Sequence, residues 1–225
     1  MTHSPIRRLA LAAAALAAVG LGLPAQAQQT RLYDPQPPAN AAYVRVIAVT
    51  GGDYDVWVDQ KARLTKVASG TPSPYMVLPP GSQQVEVRAG GQQVSVPVTT
   101  QASRSFTILL PELKADKATV VSDKTNSNRL KALIMAYNLG PVAADVATAD
   151  GQTSIFKALA PNAGNGLVVN PIVLDYKASG DGHTLGSGRM EMAPGGAYTI
   201  VLTGTQAANV KAASYANSVE RYTGN

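Results

Sequence analysis

Apolar and polar residues alternate along most of this chain with a period of two, the spacing of strands that bury one face. From Tyr43, the row Val44, Val46 and Ala48 faces one way and Tyr43, Arg45 and Ile47 the other. Past the Gly51-Gly52 turn, Tyr54, Val56 and Val58 form an apolar row with Asp53, Asp55, Trp57 and Asp59 opposite it. Residues 75–78 read as a short strand, Pro79-Pro80-Gly81 as a turn, and 85–98 as a hairpin closed by Gly90-Gly91. Pro97 lacks an N–H and is confined to an edge strand or a bulge. Residues 106–110 close the set.

The stretch 114–129 is polar and reads as a linker, after which the plan returns. Val85-Glu86-Val87-Arg88 resembles Leu174-Asp175-Tyr176-Lys177 at an offset of 89 residues, and Phe106-Thr107-Ile108 resembles Tyr198-Thr199-Ile200 at 92. Ala48, Gly52 and Val58 meet Ala136, Gly140 and Val146 at 88. Near-equal offsets in one order indicate an internal duplication. The pattern therefore predicts an all-β chain of two tandem small antiparallel β-sandwich domains, 41–113 and 130–225. The second carries a tail in which 207–219 is expected as a short helix.

The first 27 residues read as a secretory address: Arg7 and Arg8, an apolar run over 9–23, Pro24, then Ala25-Gln26-Ala27 as a cleavage site. The run is shorter than the ~20 residues that span a bilayer. A proline-rich lead-in, 28–40, follows; Pro35, Pro37 and Pro38 keep it extended. The expected product is exported and soluble.

Composition then removes classes of function. The net charge of +5 falls to +3 once Arg7 and Arg8 leave, and no Lys/Arg cluster exceeds two residues, so a nucleic-acid footprint is missing. With no cysteine there are no disulfides or thiolate metal sites, and no cofactor motif is recognised. Asp181, His183 and Ser187 share one Gly-rich hairpin, whereas a catalytic triad draws its members from separate elements. Asp53, Asp55 and Asp59 have calcium-loop spacing, but Val56 and Val58 alternate as strand and no glycine occupies the centre. No catalytic or metal residue is assigned. Nothing singles out a pair among the fourteen acids for glycoside chemistry.

Trp57, the single tryptophan, is flanked on its face by Asp55 and Asp59, and at the 88-residue offset its counterpart is Asp145. Both observations place it on the non-core face, available to a protein partner, a sugar ring or the other domain. Tyr43 and Arg45 are further candidate contact residues, as is Tyr33 in the lead-in.

Leu32-Tyr33-Asp34-Pro35, Tyr43-Val44-Arg45-Val46, Leu78-Pro79-Pro80-Gly81, Lys131-Ala132-Leu133 and Tyr137-Asn138-Leu139 together resemble the AlgF family of periplasmic alginate O-acetylation proteins. The resemblance spans nearly all of the chain after the signal. It implies a non-enzymatic accessory protein of two β-sandwich domains in the periplasm. Its implied partners are SGNH-type acetyltransferases with a Ser-His-Asp site and a membrane-bound O-acyltransferase, acting on alginate or on another exopolysaccharide such as cellulose. The function expected is an adaptor between acetyltransferase components; a carbohydrate-binding module acting on the polymer is the alternative.

Overall fold

The computed structural model describes residues 36–223. The expected signal peptide, most of the lead-in and Tyr33 lie outside them. The first half contains β1 (Ala42–Ala48), β2 (Tyr54–Val58), β3 (Lys61–Val67), β4 (Met76–Leu78), β5 (Gly81–Ala89), β6 (Gln92–Thr100), β7 (Ser105–Leu110) and β8 (Thr119–Ser122). The second contains β9 (Ala132–Leu139), β10 (Ala144–Thr148), β11 (Ser154–Leu159), β12 (Ala163–Val169), β13 (Val173–Gly180), β14 (His183–Glu191), β15 (Ala197–Thr203) and β16 (Lys211–Ala216).

These strands form four sheets in two matching pairs. The outer sheets are ordered β3-β2-β5-β6 and β11-β10-β13-β14, the inner ones β4-β1-β7-β8 and β12-β9-β15-β16. The chain is thus all-β and internally duplicated. Most pairings are antiparallel, but β1 runs parallel to β7 and β9 parallel to β15, so each inner sheet is mixed. Pro97 lies on β6, an outermost strand, where its missing donor breaks no ladder.

Strand burial explains the layering. Outer strands alternate, as in β2 and β6, because one face meets a core and the other meets water. The central strands of the inner sheets, β1, β7, β9 and β15, are buried on both faces along most of their length, and β9, ALIMAYNL, is buried at every position. Val44, Val46, Ala48, Phe106, Ile108 and Leu110 point into the first sandwich core, and Ala132, Ile134, Ala136, Ile200 and Leu202 into the second. The opposite faces meet each other: Ile47 and Leu109 pack with Leu133, Met135, Tyr137, Leu139 and Val201 in a third core between the halves. Each aliphatic side chain fully buried there contributes roughly 1.5–3 kcal/mol.

The stretch expected as a linker does more than connect. Residues 115–117 form a 3-10 turn, and Thr119 to Ser122 then pair antiparallel with β7 as the edge of the inner sheet. Polarity averaged over sixteen positions hides this short β-branched run. Similarly, the helix expected over 207–219 is a 3-10 turn, Ala207–Asn209, followed by β16 paired with β15. Tertiary pairing overrides the helix propensity of alanine there.

Register also revises the repeat alignment. Tyr43 pairs with Ser105 and Leu133 with Ala197; Val56 pairs with Val87 and Val146 with Ala178. Val56 therefore corresponds to Val146, Trp57 to Ala147, and Asp145 to Asp55 rather than to Trp57. The 88-residue alignment is displaced by two, which leaves the assigned face unchanged because side chains alternate with period two.

Candidate functional site

Arg45, expected on a contact face, is 1% exposed and sits between the halves. Its face is the outer one of the first sandwich, as alternation requires, but the second half covers that face. Its Nε donates to Thr107 Oγ1 at 3.0 Å, Nη1 to Asn217 Oδ1 at 2.9 Å, and Nη2 to Tyr137 OH at 3.1 Å and Thr199 Oγ1 at 2.9 Å. The guanidinium also lies 4.4 Å from the Tyr75 ring centroid.

Asp123, 3% exposed, is the counter-charge, and two hydroxyls relay to it. Thr107 Oγ1 donates to Oδ2 at 2.8 Å and Tyr137 OH to Oδ1 at 2.5 Å, while Tyr75 OH donates to Oδ2 at 2.7 Å. The second half mirrors the motif, Thr199 Oγ1 donating to Asn217 Oδ1 at 2.7 Å. Thr107 corresponds to Thr199, and Asp123 to Asn217, each just beyond an edge strand. Burial works against the Arg45 charge, but Tyr137, Tyr75 and Asp123 hold its pKa above the ordinary value. Burial likewise pushes the Tyr137 and Tyr75 hydroxyls up, so both remain donors. A buried charge in such a network is tolerated because its donors are met.

Trp57 stands on the solvent side of the first outer sheet, in register with Ala62 on one side and Glu86 on the other. It is half-buried, because the Arg88 guanidinium lies 3.9 Å from its ring centroid and is held there by an ion pair with Glu86. Among the described residues, the enclosed indole Nε1 has no acceptor. Around this stack are Gln84, Gln93 and Ser95, all exposed. The sheet thus presents an aromatic–cation pair in a polar rim, the composition of an interface anchor.

Asp55 and Asp59 flank Trp57 in sequence, but each has an oxygen committed to the backbone. Asp55 Oδ1 accepts from the Lys66 N–H at 2.9 Å, where Lys66 has φ of 55°; Asp59 Oδ1 accepts from the Gln84 N–H at 3.1 Å. Asp145 does for Ala158 (φ 50°) what Asp55 does for Lys66, at 2.6 Å. Asp55 and Asp145 thus brace matching bulges in the two repeats. Tyr43 is half-buried on β1. The structure therefore brings Trp57 and Asp55 onto one sheet with Arg88, and moves Arg45 away from it.

Sequence reasoning missed Arg88, Tyr75, Thr107, Asp123, Tyr137, Thr199 and Asn217. The available signal was a single arginine inside the apolar strand AYVRVIA, which a seam explains better than a surface does.

His183 opens β14 beside the two-residue turn Asp181-Gly182, with φ of 51° and 74°. Its counterpart is the Gly90-Gly91 turn, with φ of 56° and 76°. Ser187 lies four residues along the same strand, roughly 13 Å away at strand rise, beyond hydrogen-bond reach. Among the described residues, no group of three His, Cys, Asp or Glu side chains could hold a metal.

Beyond β16 the chain crosses to the first half. Tyr75 N–H donates to Ser218 O at 2.8 Å and Glu220 N–H to Tyr75 O at 2.9 Å, so residues 218–220 extend the β4 edge. The Glu220 carboxylate accepts from Val77 N–H at 2.9 Å and pairs with Arg63. A cleft of about 570 Å³ opens between this segment and β3, lined by Lys61, Arg63, Gln83 and Tyr222.

Comparison with known proteins gives one consistent family. The family model described as "Alginate O-acetyl transferase AlgF" matches residues 14–186. The alginate biosynthesis protein AlgF of Pseudomonas aeruginosa is 32% identical over 148 residues, 66% of this chain and 65% of that protein. Its namesake from Pseudomonas syringae pv. tomato is 27% identical over 171 residues, 76% of this chain and 74% of the relative. The chain thus spans just under two thirds of the P. aeruginosa relative. A solved C-terminal domain of AlgF from P. aeruginosa aligns with 39% of this chain and 96% of its own length, at 24% identity and a TM-score of 0.33.

Proposed function

The chain belongs to the AlgF family, and from that premise we propose that it is a non-catalytic periplasmic adaptor in the O-acetylation of an exopolysaccharide, alginate first among them. It holds SGNH-type acetyltransferases and a membrane-bound O-acyltransferase system in proximity. The observation that carries this reading is the seam: Arg45 draws groups from both repeats into one buried network, which fixes the two outer sheets relative to each other. Two surfaces at fixed separation on one body raise the effective concentration of one partner near another. A rigid connection also avoids the ordering cost that a flexible tether would carry into binding.

Trp57 with Arg88 is the contact feature we assign to a partner. Truncating an aromatic anchor typically costs about 2 kcal/mol, or roughly thirtyfold in affinity. Calorimetric titration against the acetyltransferases of the same system should show that loss for Trp57→Ala, with the thermal transition of the variant little changed. Unaltered affinity in the variant, together with a fully acetylated polymer in a strain deleted for the protein, would refute the adaptor. A sugar-binding platform needs an uncovered indole face, and Arg88 occupies one face, which favours a protein contact over the carbohydrate-module alternative.

A further inference from the structure

Each sheet ends in two edge strands, and an open edge is a template for another strand. Seven of the eight are blunted. Both β3 and β11 are bulged and carry lysines, β6 contains Pro97, and β8 has four residues. The three-residue β4 is extended by 218–220, and β14 closes against β16, where Gly186 sits on the Ala212 backbone.

The exception is β12. Its seven residues, AGNGLVV, contain no proline or charge and keep an unbroken register with β9. Among the described residues β9 is its one ladder partner. Gly166 N–H turns to Asn165 Oδ1 at 2.8 Å, which shows that it points away from β9. Alternation then places the Gly164 and Val168 N–H groups on the same free edge.

Internal duplication sharpens the contrast. In sheet order β12 is the counterpart of β4. At β4 the chain following β16 adds through a single parallel bridge, Tyr75 to Val219, and the Glu220 carboxylate accepts from the Val77 N–H; at β12 the corresponding chain, following β8, packs on the face instead. A Cβ at Gly166 would lie 2.7 Å from the Lys124 Cβ. The fold thus fills one of two equivalent edges from within.

The surroundings of β12 are basic. Lys117 O accepts from Asn162 Nδ2 at the start of the strand, Lys124 lies at its middle, and Lys131 Nζ donates to Asn170 Oδ1 at its end. The exposed acid on this run is Asp116, beside Lys117, while Asp123 is buried. Two copies joined edge to edge through β12 would bring these lysines together. We propose that the β12 edge is a strand-addition site for an extended acidic segment of a partner protein, with main-chain hydrogen bonds supplying affinity and the lysines selecting charge.

Amide hydrogen exchange on the purified protein, resolved by NMR, tests this. In the free protein, the Gly164, Gly166 and Val168 amides should exchange about a hundredfold faster than those of Ala163, Asn165 and Leu167. A synthetic peptide alternating valine and glutamate should slow all three edge amides, and bind about tenfold tighter than its valine–lysine counterpart. Lys117→Glu with Lys124→Glu, both on exposed side chains, should reverse that preference. Val168→Pro should abolish protection by either peptide; should it not fold, Leu167→Glu places a like charge on the same edge and should weaken binding of the acidic peptide. The proposal is overturned by edge amides as slow as those facing β9 or by millimolar acidic peptide leaving them unaffected. Protection arising from self-association through β12 would overturn it equally.

Discussion

Replacing Arg45 by alanine is expected to lower the unfolding free energy by about 3–5 kcal/mol, the usual cost of breaking a buried charge pair from one side. The substitution leaves Asp123 as a buried carboxylate with no compensating cation, and removes a donor from each of Thr107, Tyr137, Thr199 and Asn217. Arg45→Lys should recover little, because one ammonium with three donors cannot reproduce a fork reaching both repeats. Urea denaturation gives the values. A loss below about 1 kcal/mol would place Arg45 among ordinary surface charges.

Gly164→Ala is the second large effect, expected to destabilise by about 1–3 kcal/mol through overpacking. An added Cβ would lie 2.5 Å from Tyr137 Cδ1 and 3.2 Å from Val121 Cγ1. The ring cannot swing aside cheaply, since Tyr137 is fully buried and its hydroxyl is tied to Asp123 and Arg45. Gly51→Ala is the matched control: none of the described residues lies within 4 Å of its Cβ, so its effect should stay within about 0.5 kcal/mol. Thermal unfolding of the two variants side by side separates crowding at the seam from loss of a glycine.

Strand alternation exposed much of this architecture in the sequence. It gave the two faces of β1 and β2, the turn at Gly90-Gly91, the edge position of Pro97 and the solvent side for Trp57. Duplication was legible because both repeats bury the same rows. What alternation could not give was the seam. An inner strand such as β9 is apolar on both faces, and nothing local says which apolar face meets its own sandwich and which meets the other repeat. Arg45 was misplaced for that reason: on a strand face taken as solvent-side, a charge looks ordinary. Its partners Tyr137, Thr199 and Asn217 are 92, 154 and 172 residues away in sequence, too far for any spacing pattern. The Trp57 site was half visible. Its face followed from alternation, but the Arg88 stack depends on the register between β2 and β5, and the offset that paired Trp57 with Asp145 had slipped by two.

Equilibrium unfolding in urea, followed by two probes, tests most directly whether the repeats form one body. Trp57 is the sole tryptophan and lies in the first repeat, so its fluorescence reports that half, while far-ultraviolet circular dichroism reports both. A single locked unit predicts coincident transitions for the two probes, and their separation in Arg45→Ala. Separate transitions in the unaltered protein would mean two independent domains joined side by side, and would contradict the seam as the feature that makes this chain one scaffold.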